Sequence, residues 1–240
     1  MLRYRVRPAE LDDLAACVEI DASYITTYVW QLQESFEEPF DDEEENSAAS
    51  AARPAIVGKS SATPPPAFRV EFSPSRLPRP LAIAAPLNDQ QLLAEWKKTD
   101  HLLVAEAVEP PPPPPEPLPE GEETPESDVP AQQPAPQGKA DIIGYIGLTV
   151  DGPRHVAWIS TCAVQLDYRR RGVGTQLLKE ARVWADRYRL RSLMIEIQTK
   201  NYPAISFFQK NGFFFCGYNN AYYPTREIAL FFGKRLEKFT

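Results

Sequence analysis

Residues 2–7 (Leu-Arg-Tyr-Arg-Val-Arg) alternate apolar and charged positions, which predicts a half-exposed strand ended by Pro8. Over 10–20, Leu11, Leu14, Ala15, Cys17 and Val18 recur at helical spacing behind acids that favour a helix start. The apolar and aromatic stretch 24–32 is assigned with it to N-terminal helical structure. Periodicity then disappears over 34–66, an acidic and Ala/Pro-rich segment expected to be a flexible loop. Alternation returns at 68–73 as a strand, 81–85 is a short strand, 89–98 a helix and 101–108 a strand. Residues 110–136 hold twelve prolines, six of them consecutive from Pro110 to Pro115, so this run is extended and cannot pair in a sheet. Strand patterns flank it, and 109–138 is therefore expected to be a disordered Pro/Glu-rich insertion within a hairpin. Two strands, 142–150 and 155–164, follow around Asp151-Gly152, a hairpin signal. A helix over 173–188, a strand over 192–198, a helix over 202–210 stopped at Asn211-Gly212, and strands at 213–218 and 227–232 complete the pattern. The order predicts one α+β (α/β layered) domain over 1–240, with a mixed sheet flanked by helices.

Composition narrows the class. The chain has 240 residues and is 43% hydrophobic, enough for a core, and its 25 prolines are about twice the usual share. Cys17, Cys162 and Cys216 are far apart and form no C-x-x-C pair, which excludes a zinc ribbon and a disulfide scaffold. His101 and His155 lack metal-ligand spacing and are read as structural; no zinc or calcium pattern is present. Residues 1–13 contain no apolar run, and no stretch has the length to cross a bilayer, so a cytoplasmic protein is expected.

The net charge of −7 divides unevenly. Residues 34–46 carry eight acids and no base, and 109–138 carry seven acids and no base, whereas 139–240 hold 16 Lys+Arg against 8 Asp+Glu. A basic body suits an anionic ligand. No nucleic-acid-binding fingerprint appears, and a phosphate-bearing small molecule fits. Its site is expected at 167–178 (Asp-Tyr-Arg-Arg-Arg-Gly-Val-Gly-Thr-Gln-Leu-Leu), where a predicted strand passes through an Arg/Gly loop into a helix. Unpaired N–H groups and the helix dipole favour phosphate there, glycines allow close approach, and arginines add charge. The spacing is neither G-x-G-x-x-G nor G-x-x-x-x-G-K-[ST].

Arg169-Arg170-Arg171-Gly172-Val173-Gly174 resembles the acetyl-CoA signature R/Q-x-x-G-x-G/A of the GNAT superfamily of N-acetyltransferases. Thr161-Cys162-Ala163-Val164 resembles the strand that precedes it there, and the pattern from Asn201 through Ala204, Phe207, Phe208 and Lys210 to Gly212-Phe213 resembles the family's N-x-x-A-x-x-F-Y-x-K-x-G-F. The run from Leu193 to Phe232 is similar to the streptothricin acetyltransferase branch. The resemblance covers about 140–235, with 139–235 as the acetyl-CoA-binding core. It implies a central mixed, largely antiparallel sheet and direct attack of a primary amine on acetyl-CoA in a ternary complex. It also implies roles. Backbone N–H groups of Arg169, Arg170, Arg171, Gly172, Val173, Gly174 and Thr175 would hold the pyrophosphate. Ala163 and Val164 would position the pantetheine, Asn201 would contact it or stabilise splayed strands, and Phe207 and Phe208 would pack beside it.

Two positions depart from the family. Phe208 stands where many members have a proton-donating Tyr, and Ser160-Thr161 stand where the streptothricin branch has acids. Replacement catalytic groups are sought in Glu196, Tyr218, Tyr222 and Tyr223. Cys162 is a nucleophile in principle and is read as a buried structural thiol. The acceptor, a small-molecule or peptide amine, is expected between the region 24–30 and the C-terminal strands. Neither nucleic acid nor membrane is an expected partner, and a homodimer is left open. The competing class is an acyl-CoA-binding sensor that lost catalysis; an interaction protein working through its Pro-rich arm is a weaker third.

Overall fold

The structure is a computed structural model that describes residues 3–37, 67–85, 87–108 and 141–236. In chain order its elements are β1 (Tyr4–Pro8), α1 (Asp13–Val18), β2 (Tyr24–Glu37), β3 (Ala67–Ile83), α2 (Asp89–Trp96), β4 (His101–Ala107), β5 (Ile142–Asp151), β6 (Val156–Val164), α3 (Val173–Arg187), β7 (Ser192–Gln198), α4 (Tyr202–Lys210), β8 (Phe214–Asn219) and β9 (Ala229–Arg235). Seven strands form one sheet in the order β1-β4-β5-β6-β7-β9-β8, and β2 and β3 form a separate ribbon. All neighbours in the large sheet are antiparallel except β6 and β7, which run parallel. This is the mixed, largely antiparallel sheet expected.

Both faces of the sheet are covered, which explains the near-continuous burial of β5 from Ile142 to Leu148. On one face α3 supplies Val173, Leu177, Leu178, Ala181 and Ala185, spaced one helical turn apart, and α4 adds Ile205 and Phe208. On the other, Cys17 of α1, Ile20 just beyond it, and Leu92 and Trp96 of α2 pack on Val104, Ile142 and Tyr145. Local chemistry starts and stops these helices. The Asn88 side chain accepts from the Gln91 N–H at 2.9 Å while the Gln91 side chain accepts from the Asn88 N–H at 3.0 Å. Asn201 caps α4 by accepting from the Ala204 N–H at 3.2 Å.

The N-terminal region corrects the sequence reading. Residues 24–32, expected to be helical, are strand. Tyr-Ile-Thr-Thr-Tyr-Val-Trp is β-branched and aromatic, a composition that loses side-chain freedom in a helix and packs well on a pleated surface. The segment 68–73 and residues 81–83 belong to one long strand rather than two, which ends before 84–85. Its register jumps from Thr26↔Leu81 to Tyr28↔Arg76, and Pro78 and Pro80 fall in the skipped residues, where no ladder N–H is needed. Residues 34–37, expected in a loop, close this ribbon. The remainder of the expected flexible loop and the expected insertion 109–138 lie outside the described residues. Helix α1 is shorter than the 10–20 pattern suggested. Among the described residues, no helix is long and apolar enough to cross a membrane.

Candidate active site

The parallel contact between β6 and β7 consists of three pairs, Val156↔Ser192, Ala157↔Leu193 and Trp158↔Met194. Beyond them the strands diverge. The cause is visible on the other edge of β6: Gly147 pairs with Thr161 and Leu148 with Ile159, so Ser160 is one residue too many for β5. Such a bulge bends its strand. The gap opens into a cavity of about 420 Å³, lined by both strands, by Asn201, Ala204 and Phe208 of α4, and on the far side by the α1–β2 connection and α2.

At one end of β6 the chain makes a short 3-10 turn and enters α3. Gly172 precedes the helix at φ 90°, a left-handed conformation that disfavours a side chain. The first helical bond runs from the Gln176 N–H to the Gly172 carbonyl at 3.0 Å, and no side chain caps this terminus. The N–H groups of Val173, Gly174 and Thr175 are therefore left to an outside acceptor. Gly174 also meets α4 closely: a Cβ there would lie 3.1 Å from Cζ of Phe207. Arg170 stands at φ 63°, and Arg170 and Arg171 are exposed. Arg169 is engaged elsewhere. Its N–H donates to Leu166 O at 3.1 Å, and its guanidinium to Val164 O, Ser23 O and Asp21 O at 2.8, 2.8 and 2.7 Å. The expected pyrophosphate cradle thus loses the Arg169 N–H, because the 3-10 turn uses it.

The cavity is acidic. Glu19, Asp21, Asp89 and Glu196 line it, and among the described residues no Lys, Arg or His does. Glu196, on β7, is half-buried, and burial pushes its carboxyl above the usual range; the charge of Glu95 adds to the rise and a hydrogen bond from the Tyr222 hydroxyl opposes it. That same bond, with burial, pushes Tyr222 up to about 12. Burial raises Tyr223 further, helped by Glu196, Tyr222 and Glu227, and lifts Tyr24 to about 12. The hydroxyl of Tyr24 is buried with no partner among the described residues. These phenols are neutral at physiological pH. Phe208 is 3% exposed and packs edge-on against Phe207 and Phe213, each at 5.1 Å.

A glycine-marked helix start at the mouth of splayed parallel strands is the arrangement the sequence resemblance implied. Residues 95–213 match the sequence profile described as the Acetyltransferase (GNAT) family. These residues belong to that family. A relative, streptothricin acetyltransferase A of Bacillus subtilis (strain 168), is 40% identical over 79 residues, which are 31% of this chain and 46% of that protein. The chain thus aligns with less than half the length of this curated relative. Two solved structures share the fold. One is nourseothricin acetyltransferase, with a TM-score of 0.62, 18% identity, and coverage of 97% of this chain and 98% of that one. The other is a protein of Bacillus anthracis str. Ames assigned as a streptothricin acetyltransferase, in complex with acetyl coenzyme A; its TM-score is 0.60 at 20% identity, with the same coverage.

Within this GNAT fold the structure separates the expected catalytic residues. Glu196 and Tyr223 line the cavity, and Tyr222 reaches Glu196. Tyr218 does not join them. Its hydroxyl donates to Glu34 of β2 at 2.6 Å, and its ring packs edge-on against Phe72 of β3 at 5.2 Å. It is a strut between the ribbon and the edge strand β8. Cys162 lines the cavity, but burial pushes its thiol up to about 12, which leaves it protonated and a poor nucleophile. Thr161 is buried and accepts from Trp96 Nε1 at 3.4 Å. The sequence reading missed Glu19, Asp21, Asp89 and Tyr145 as cavity residues. None carries a local signal, since ordinary helix ends and strands contain the same residue types.

Proposed function

We infer that this chain is an acetyl-CoA-dependent N-acetyltransferase acting on a cationic primary amine, with both substrates bound together. The observation that carries this reading is the presence of two unlike features on neighbouring elements. One is the set of unpaired N–H groups at the start of α3, which follows β6, and the other is a cavity between β6 and β7 whose described lining holds four acidic residues and no Lys, Arg or His. The N–H groups of Val173, Gly174 and Thr175, with Arg170 and Arg171 beside them, suit the pyrophosphate. The edge of β6 released from β7, at Ala163 and Val164, suits the pantetheine arm, with Asn201, Phe207 and Phe208 on its other side.

Acetyl-CoA supplies the thioester whose carbonyl the amine attacks, forming the amide bond and releasing the thiolate. The protein aligns the two and excludes water. Glu196 takes the proton the amine loses. Its raised carboxyl is a stronger base than an ordinary one, and Tyr222 holds it in place. Phe208 cannot protonate the leaving thiolate. A thiol with an ordinary value near ~8.5 leaves as the anion and takes its proton from water, so this loss slows the reaction without forbidding it.

Phe208 and the hydroxyls of Ser160 and Thr161, where an acid would otherwise stand, favour a second reading, a sensor that binds acyl-CoA without turnover. Thiol release from acetyl-CoA, measured against streptothricin, polyamines and short peptides beside calorimetric binding of acetyl-CoA, separates the two. Turnover with a cationic amine supports the enzyme. Tight binding without turnover supports the sensor, and absence of binding removes both.

A further inference from the structure

Arg169 ties together three pieces of backbone that are distant in sequence. Nε donates to Val164 O at the end of β6, Nη1 to Ser23 O, and Nη2 to Asp21 O. Its own N–H closes the turn that leads, three residues later, into Gly172 and α3. Asp21, Ala22 and Tyr24 line the cavity. One side chain therefore spans the loop assigned to the pyrophosphate, the strand end assigned to the pantetheine, and the wall assigned to the acceptor.

All three acceptors are neutral carbonyls. The Asp21 carboxylate is turned onto its own loop and accepts from the Ser23 N–H and hydroxyl, each at 2.8 Å. The geometry uses the fixed planar fork of a guanidinium, which reaches several acceptors in set directions; a lysine ammonium is a single point on a flexible stem. Both Asp21 and Ser23 are held through main-chain atoms, so the tie fixes the path of the connection itself.

We propose that Arg169 is a positioning residue that couples the pyrophosphate loop to the acceptor wall, so that filling the loop orders residues 19–24. The proposal rests on the acetyl-CoA reading of that loop. By linkage, ordering of the wall by the cofactor implies tighter cofactor binding when the wall is ordered by an acceptor. The cradle N–H groups remain in Arg169 variants, so coupling and binding are separable.

Hydrogen exchange on the full chain with free coenzyme A as the probe tests this. In the wild type, saturating coenzyme A slows exchange about tenfold both at 172–177 and at 19–24. In R169K and R169M, slowing at 172–177 persists while slowing at 19–24 falls below about twofold. R169K keeps the charge and serves if R169M folds poorly. Equal slowing of 19–24 in wild type and both variants overturns the coupling, as does its absence in the wild type when 172–177 is slowed. Loss of coenzyme A binding in R169K would make Arg169 a phosphate ligand and overturn the positioning role. No slowing at 172–177 in the wild type overturns the cofactor reading itself, and the coupling with it.

Discussion

The two ends of the candidate site, the α3 helix start and the cavity, are made of different material. At the α3 end the working groups are main-chain N–H donors, held by Gly172 in a left-handed conformation and by close packing of Gly174 on Phe207. At the acceptor end they are side chains, Glu19, Asp21, Asp89 and Glu196, brought from the α1–β2 connection, α2 and β7. A backbone site tolerates many side-chain changes but not a change in chain path. A side-chain site keeps its shape under substitution and changes its charge. The two ends therefore respond to different mutations, and the inferred reaction needs both.

The largest effect is expected from breaking the backbone end. A Cβ at Gly172 meets only the Tyr4 hydroxyl, at 3.7 Å, so the fold accommodates one; the left-handed backbone adds about 1–2 kcal/mol of strain. G172E also places a carboxylate at the helix N-terminus, where it competes with phosphate. Acetyl-CoA affinity is expected to fall at least about 100-fold by calorimetry, with the circular dichroism spectrum unchanged. An unchanged affinity would remove the phosphate assignment.

Next comes the carboxylate assigned to chemistry. Glu196 has its carboxyl raised by burial, so as a base it loses function as pH falls through that raised value. The acid limb of kcat is expected above the ordinary Glu value of about 4.3, and E196Q removes the limb and lowers kcat about 10²-fold. Burial disfavours the charged form in the fold, so E196Q is at least as stable as the wild type at neutral pH. A retained acid limb in E196Q would assign the base elsewhere.

A smaller effect sharpens the contrast. The double variant E19Q/D89N keeps kcat and raises KM for a dicationic amine about three- to tenfold at low salt. The rise shrinks at high ionic strength, because these rim charges are exposed. A neutral-bodied monoamine should show little change. Smallest of all, Y218F is expected to leave kcat and KM within about twofold, because its hydroxyl serves Glu34 rather than the cavity. A large kcat loss would return Tyr218 to the chemistry.

The same division decided what could be read in advance. Arg169 to Gly174 are contiguous and sit between a strand and a helix, so local spacing marks them. Asn201, Phe207 and Phe208 share one helix and its cap. The sheet order, by contrast, follows from tertiary pairing, and Tyr24 to Trp30 carry apolar side chains dense enough to fit either periodicity. Strand β3 supplied the decision. Tyr218 and Tyr222 are four residues apart and equivalent in composition. The turn between β8 and β9, with Ala221 at φ 54° and Arg226 at φ 62°, sends them to different neighbours. No pattern in the chain announces that turn. Arg169 was placed correctly in the loop, yet the use of its N–H and guanidinium depends on the 3-10 turn and on carbonyls about 146 residues away.

The three-pair seam between β6 and β7 has a consequence for cohesion. It divides the large sheet into two panels, β1-β4-β5-β6 and β7-β9-β8, hinged at the end remote from the cavity and bridged on one face by α3. Opening along such a line is a sub-global motion with its own free energy, smaller than that of complete unfolding. A molecule lying in the gap acts as a missing rung, and at 100 times its dissociation constant it adds about 2.7 kcal/mol against opening. The apparent melting temperature then works as an occupancy gauge for whatever fills the seam.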